Sequence, residues 1–135
     1  MSGQAEPNWI SKEQVLFIQQ NTIKIQGGSP GIRDEGLLES ALARPQNSYS
    51  YGERDIFLLA AAYAEGIARN HAFVDDNKRA AYITSGLFLF QNGYRLTIRS
   101  AKAQITLFEN LAKDDLSRPQ LAKFYRQNTL KTEKT

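Results

Sequence analysis

The chain has 135 residues, 17 lysines and arginines against 14 aspartates and glutamates, a formal net charge of +3 and no cysteine. Without thiols there is neither a disulfide framework nor a thiolate metal site, so a reducing, cytoplasmic setting is the expected one. Met1 to Trp9 is polar and carries no signal-peptide core. No apolar run approaches the roughly 20 residues that cross a bilayer, and the lysines and arginines are scattered instead of forming a nucleic-acid-binding patch. The length is expected to make one domain with a core over about residues 10–128 and a polar tail over 129–135.

In chain order, the hydrophobic pattern is helical almost throughout. Ser11 and Gln14 form a capping box and Ile10 with Val15 the matching staple, which starts a helix at Lys12 that runs to about Gln26. The glycine-rich stretch Gly27–Gly31 follows a helix and lacks the lysine of a phosphate-binding loop, so it is read as a turn. Asp34 caps a second helix over 35–44, which Pro45 limits, and residues 46–54 make a polar, tyrosine-bearing connection. A third helix takes Asp55 to Asn70 with Ile56, Leu59, Ala60, Tyr63 and Ile67 as its buried stripe. The fourth, residues 77–91, is too apolar for a surface helix and is therefore placed at the centre; Asn92-Gly93 stops it. Leu96-Thr97-Ile98 could be a short extended segment, but one such run builds no sheet. Ser100 and Ser117 cap two final helices, the second with a capping box to Gln120. Lys131 to Thr135 is expected to fray. The fold class is all-α, about six helices around a central one.

The stretch His71-Ala72-Phe73-Val74-Asp75-Asp76-Asn77-Lys78-Arg79 carries the chemistry. It stands just before the central helix, whose first-turn N–H groups and positive dipole end attract anions. Lys78 and Arg79 oppose that dipole, and a bound anion would repay their cost. Asp75 is a hard oxygen ligand suited to magnesium, and magnesium is carried into such sites with nucleotide phosphates. His71, the sole histidine, lies where the preceding helix ends and suits a general base near neutral pH. Phe73 is read as a buried anchor of the loop.

This segment resembles the signature of the Fic/Doc superfamily, His-x-Phe-x-Asp/Glu-x-Asn-Gly/Lys-Arg. Lysine where Fic proteins carry glycine, here Lys78, is the mark of the death-on-curing (Doc) branch. The resemblance extends to Gly27–Leu42 and to Ala60–Ala68, covering about residues 10–128. It implies the toxin of a type II toxin-antitoxin pair, a kinase that moves the γ-phosphate of ATP to a threonine hydroxyl of a translation factor, elongation factor Tu in Doc proteins. His71 would be the base, Asp75 the Mg2+ ligand, and Asn77, Lys78 and Arg79 the phosphate contacts. The partner would be a cognate antitoxin whose disordered tail folds as a helix into a groove on the toxin, with DNA met only through the antitoxin and no membrane involved. Residues 46–54 would correspond to the flap that positions the protein substrate.

Three positions depart from the pattern. Ala72 replaces a common proline and is expected to loosen the loop. Tyr82 stands where Fic motifs usually carry a second arginine, which argues against AMP transfer. Asp76 replaces the usual glycine or alanine. A fixed negative charge about 4 Å from a phosphate costs several kcal/mol at an effective dielectric near 20; as an N-cap the same residue would contribute about 1 kcal/mol. Besides the Doc-type kinase, two readings stay open: a Fic-type AMP transferase, and a catalytically weak antitoxin-binding domain.

Overall fold

The computed structural model describes residues 6–98, 100–114 and 116–132. Six helices and a two-stranded sheet lie among them, so the chain is all-α.

Helix α1 (Lys12–Gln26) begins at the expected capping box, with the Gln14 N–H donating to Ser11 Oγ at 3.1 Å and the Ser11 N–H to Gln14 Oε1 at 2.9 Å. Its inner face is Val15, Ile18, Gln19, Thr22 and Ile23, an apolar stripe with two polar residues buried in it. Asp34 caps α2 (Glu35–Ser50) by accepting the Leu37 N–H at 3.0 Å.

α2 does not stop at Pro45; it continues one further turn to Ser50. Proline cannot donate to the carbonyl of Ala41, which in an exposed helix would break the ladder. Here Pro45 is buried and the Ala41 carbonyl faces α3 (Ile56–Asn70) at Gly66, where an added Cβ would sit 3.0 Å from the Ala41 oxygen. Tight packing against a side-chain-free position thus holds the helix together across the missing bond. The connection between α2 and α3 shrinks to five residues, turned at Gly52 with φ 111°.

α3 buries Leu59, Ala60, Tyr63 and Ile67 as expected, while Ile56 is only half-buried. It packs against α2, α4 (Asn77–Gln91) and α6 (Arg118–Gln127), and α4 against α1, α3, α5 (Ala101–Asp114) and the first strand. The centre is therefore the α3/α4 pair. Phe88 of α4 lies between the rings of Tyr63 at 5.0 Å and Trp9 at 5.8 Å, and the Tyr63 hydroxyl accepts the Ile10 N–H at 2.9 Å. Arg44, Arg69 and Arg118 all pair with Glu65, which ties α2, α3 and α6 together.

The expectation of no sheet is corrected. β1 (Tyr94–Leu96) pairs antiparallel with β2 (Thr129–Lys131), Arg95 opposite Leu130, so Leu96 ends a strand and Thr97 and Ile98 lie outside it. The start of the expected polar tail is consequently ordered, and the Thr132 N–H donates to the Gly93 carbonyl at 2.7 Å. Residues 133–135, together with the N-terminal residues 1–5, lie outside the described residues. The Ser117–Gln120 capping box of α6 is present, and Ser100 Oγ accepts the Ala103 N–H at 3.3 Å.

No helix among the described residues is long and apolar enough to cross a membrane.

Candidate functional site

His71, Asp75, Asp76, Asn77, Lys78 and Arg79 all lie where α3 turns into α4, and the surrounding chain fixes the shape of that turn. Ala72 and Phe73 are fully buried, anchoring the loop in the core with the phenyl ring, a contribution of about 2–3 kcal/mol. Phe73 also pairs with Ile32 in an isolated antiparallel bridge; the Ala72 carbonyl accepts the N–H groups of Arg33 at 2.7 Å and Asp34 at 3.1 Å, and the Val74 N–H donates to Gly31 at 3.0 Å. With alanine in place of proline at position 72, the loop is held through its backbone by the Gly31–Asp34 segment.

His71 caps α3 in a left-handed conformation, φ 51° and ψ 46°. Its carbonyl accepts two hydrogen bonds from the Arg33 guanidinium, from Nε at 2.9 Å and Nη2 at 2.6 Å. That clamp fixes an otherwise unfavourable backbone and leaves the residue exposed.

Asp75 is exposed and docks on the glycine-rich turn. Its Oδ2 accepts the Ser29 N–H at 3.4 Å and its Oδ1 the Asp76 N–H at 2.9 Å. Gly28, with φ 117°, makes the approach feasible, since a Cβ there would come within 2.7 Å of Asp75 Oδ2. Buried Gln19 completes the arrangement from α1, its Nε2 donating to the Asp75 carbonyl at 3.2 Å and its Oε1 accepting the Gly31 N–H at 3.4 Å. The glycine-rich segment is thus a turn, as expected, but one that forms a wall of the site.

Asn77 opens α4 with its carboxamide folded back on the loop: Oδ1 accepts the Phe73 N–H at 3.0 Å and Nδ2 donates to the Phe73 carbonyl at 3.1 Å. One Nδ2 hydrogen is left over from this pairing. Lys78 is exposed on the first turn, and Arg79 is half-buried. Arg79 Nη1 lies 2.5 Å from Asp76 Oδ1, and its Nε 4.0 Å from Glu109 Oε2 of α5.

Asp76 precedes α4 but makes no capping hydrogen bond, which corrects its reading as a stabilising N-cap. Its φ is 61°, the region glycine prefers, with aspartate among the few other residues that tolerate it. Tyr82, three residues beyond Arg79, points into the core and is 5% exposed.

The flap correspondence of residues 46–54 is also corrected. Those residues end α2 and connect it to the start of α3, whereas His71 caps the far end of that 15-residue helix, about 22 Å away. The segment that lies along the motif loop is Gly31–Asp34. Gln19, Gly28, Arg33 and Glu109 were not singled out from sequence. Gly28 and Arg33 lie in the Gly27–Leu42 stretch that carries the resemblance, and Gln19 shows in sequence as a polar residue on the buried stripe of α1.

A single magnesium fits the donor set at this turn. No group of three or more histidines, cysteines or acidic residues that could hold a metal occurs among the described residues. Magnesium commonly takes one or two carboxylates and fills the remaining positions with water and substrate phosphates, and exposed Asp75 can serve as that one carboxylate.

Two long central helices joined by a His71–Arg79 turn, with the turn braced by α1 and the segment before α2, define the class to which the chain belongs. The family model described as the Fic/DOC family matches residues 9–89, which include α1 to α3, the turn and most of α4, and the chain is a member of that family. Among relatives, it is 35% identical over 99 residues to the protein kinase doc of Escherichia phage P1, covering 73% of this chain and 79% of the phage protein. It is 47% identical over 73 residues to the toxin Doc of Mycolicibacterium smegmatis, covering 52% of this chain and 55% of that protein. The family match ends before α5, so the Glu109 contact to Arg79 lies outside it.

Proposed function

We propose that the chain is a Doc-type toxin kinase that transfers the γ-phosphate of ATP to a threonine hydroxyl of a translation factor, with elongation factor Tu the target by resemblance. The observation that carries this reading is that one turn presents an exposed His71 at the end of α3 and Asp75, Lys78 and Arg79 at the N-terminus of α4. His71 would take the proton as the threonine oxygen bonds to the γ-phosphorus and the bond from phosphorus to the β-γ bridging oxygen breaks, leaving ADP and a phosphothreonine. Lys78, Arg79 and the N–H groups of the α4 first turn would receive the phosphates. Asn77 would shape the loop through Phe73 and offer its remaining N–H to the same phosphates. Asp75 would hold Mg2+, which when bound draws charge from the phosphoryl oxygens.

The name of the phage relative as a protein kinase supports phosphoryl transfer. So does the residue at 78: a lysine side chain fills space that glycine would leave for phosphates presented in the opposite sense. Burial of Tyr82 removes the position at which an AMP-transferring relative would add a second cation. In this reading the protein is cytoplasmic and partners with an antitoxin whose disordered tail folds as a helix on it, and DNA is reached only through that antitoxin. The test is growth: expression of the wild type should arrest cells, and His71→Ala at equal protein level should not, since loss of a general base lowers rate about 10²- to 10⁴-fold. Arrest by the alanine variant would overturn the role of His71.

A further inference from the structure

Phosphate chemistry needs Arg79 but has no use for a carboxylate at position 76. Asp76 holds Arg79 through Oδ1 at 2.5 Å, yet its Oδ2 is buried with no hydrogen-bond partner among the described residues. It does not cap α4, and its backbone sits where glycine would be relaxed. By each of these measures the residue costs the fold free energy. Its one evident partner is the guanidinium that resemblance assigns to phosphate.

The surroundings show what that pairing does. Asp76, Lys78, Arg79, Glu109 and Lys113 line a cleft of about 370 Å³ at the α4 N-terminus beside α5. Carboxylate and phosphate oxygens compete for the same N–H fork of an arginine. Glu109 Oε2 lies 4.0 Å from Arg79 Nε, so a second carboxylate stands on another edge of the guanidinium.

We infer that Asp76 is an internal competitor for the phosphate seat: a polyphosphate binds Arg79 only as Asp76 yields it, so this residue sets the nucleotide affinity. This rests on the nucleotide-binding reading above. The orphaned oxygen favours exchange, since a carboxylate half satisfied in the clasp is more readily displaced than one fully bonded.

The test is calorimetric titration of the full chain with MgATP and, separately, with inorganic pyrophosphate. Asp76→Asn and Asp76→Gly are compared with wild type, because both residues tolerate the left-handed backbone. The inference expects both variants to bind both probes about 10-fold or more tightly than wild type. The gain should vanish in Asp76→Asn combined with Arg79→Ala. Unchanged or weaker binding by the single variants would overturn it, the weaker result showing that Asp76 aligns Arg79 instead of competing for it. Tighter pyrophosphate binding with no MgATP binding by any of the proteins would uphold the competition and overturn the kinase reading.

Discussion

Truncating Asn77 to alanine should destabilise the protein by about 2–4 kcal/mol. The carboxamide makes two hydrogen bonds to the backbone of Phe73, at 3.0 and 3.1 Å, and Phe73 is 1% exposed. Each lost bond is worth about 1 kcal/mol, and each buried N–H or C=O left without a partner adds a further cost of the order of 1–3 kcal/mol, of which the turn can relieve part by local adjustment. Against a total stability of about 5–15 kcal/mol that is a large loss. For a chain of this size it corresponds to a fall in Tm of roughly 6–15 °C. Urea denaturation with both proteins at the same pH measures it, and an unchanged m-value would confine the effect to the folded state. Asn77→Asp keeps the acceptor and loses the donor, so about half the penalty should remain, raised by repulsion from Asp75 and Asp76. Stability of Asn77→Ala within about 0.5 kcal/mol of wild type would refute the view that this residue staples the loop.

Two further outcomes follow from the same geometry. Gly28→Ala should lose about 1–2 kcal/mol in denaturation, because φ is 117° there and the new Cβ would lie 2.7 Å from Asp75 Oδ2; full stability would mean that the turn and the carboxylate are not packed together. Alkaline pH should unfold the protein from about pH 10 upward. Burial pushes the Tyr63 hydroxyl up to about 12 from an ordinary value of 10.0 and raises that of Tyr125 as well. With folded values above unfolded ones, this stabilisation is complete below pH 10 and is lost as pH rises through the folded value. Unfolding free energies measured between pH 8 and 11 should fall at the upper end and fall less steeply in Tyr63→Phe; a flat profile would contradict the burial.

Local signals explain which parts of the fold were legible in sequence. Capping boxes at Ser11 and Ser117, the Asp34 cap and the Asn92-Gly93 stop each act within a few residues, and the helices begin and end where those residues say. Pro45 misleads because its rule is local while its rescue is not: the Ala41 carbonyl is sheltered by Gly66 of another helix. The β1/β2 pair joins segments more than thirty residues apart, and neither is long enough to show a period of two. The site divides in the same way. The spacing from His71 to Arg79 names the residues, and the helix start places them together. Their present partners come from elsewhere: Asp75 on the Gly28 turn, Arg33 on the His71 carbonyl, Gln19 beneath both loops and Glu109 beside Arg79. Asp76 looks like an N-cap by type and neighbourhood, and only its left-handed backbone shows that it cannot reach the amides it would cap.

Whether this turn transfers the terminal phosphate of ATP is read from the position of a radiolabel. The purified chain, freed of any co-expressed partner, is incubated with magnesium, purified elongation factor Tu and ATP labelled at either the α- or the γ-phosphate. Label is expected on the protein acceptor from γ-labelled ATP alone, released as phosphothreonine on hydrolysis and absent with His71→Ala. Transfer of the α-label, or γ-transfer undiminished in His71→Ala, would contradict it.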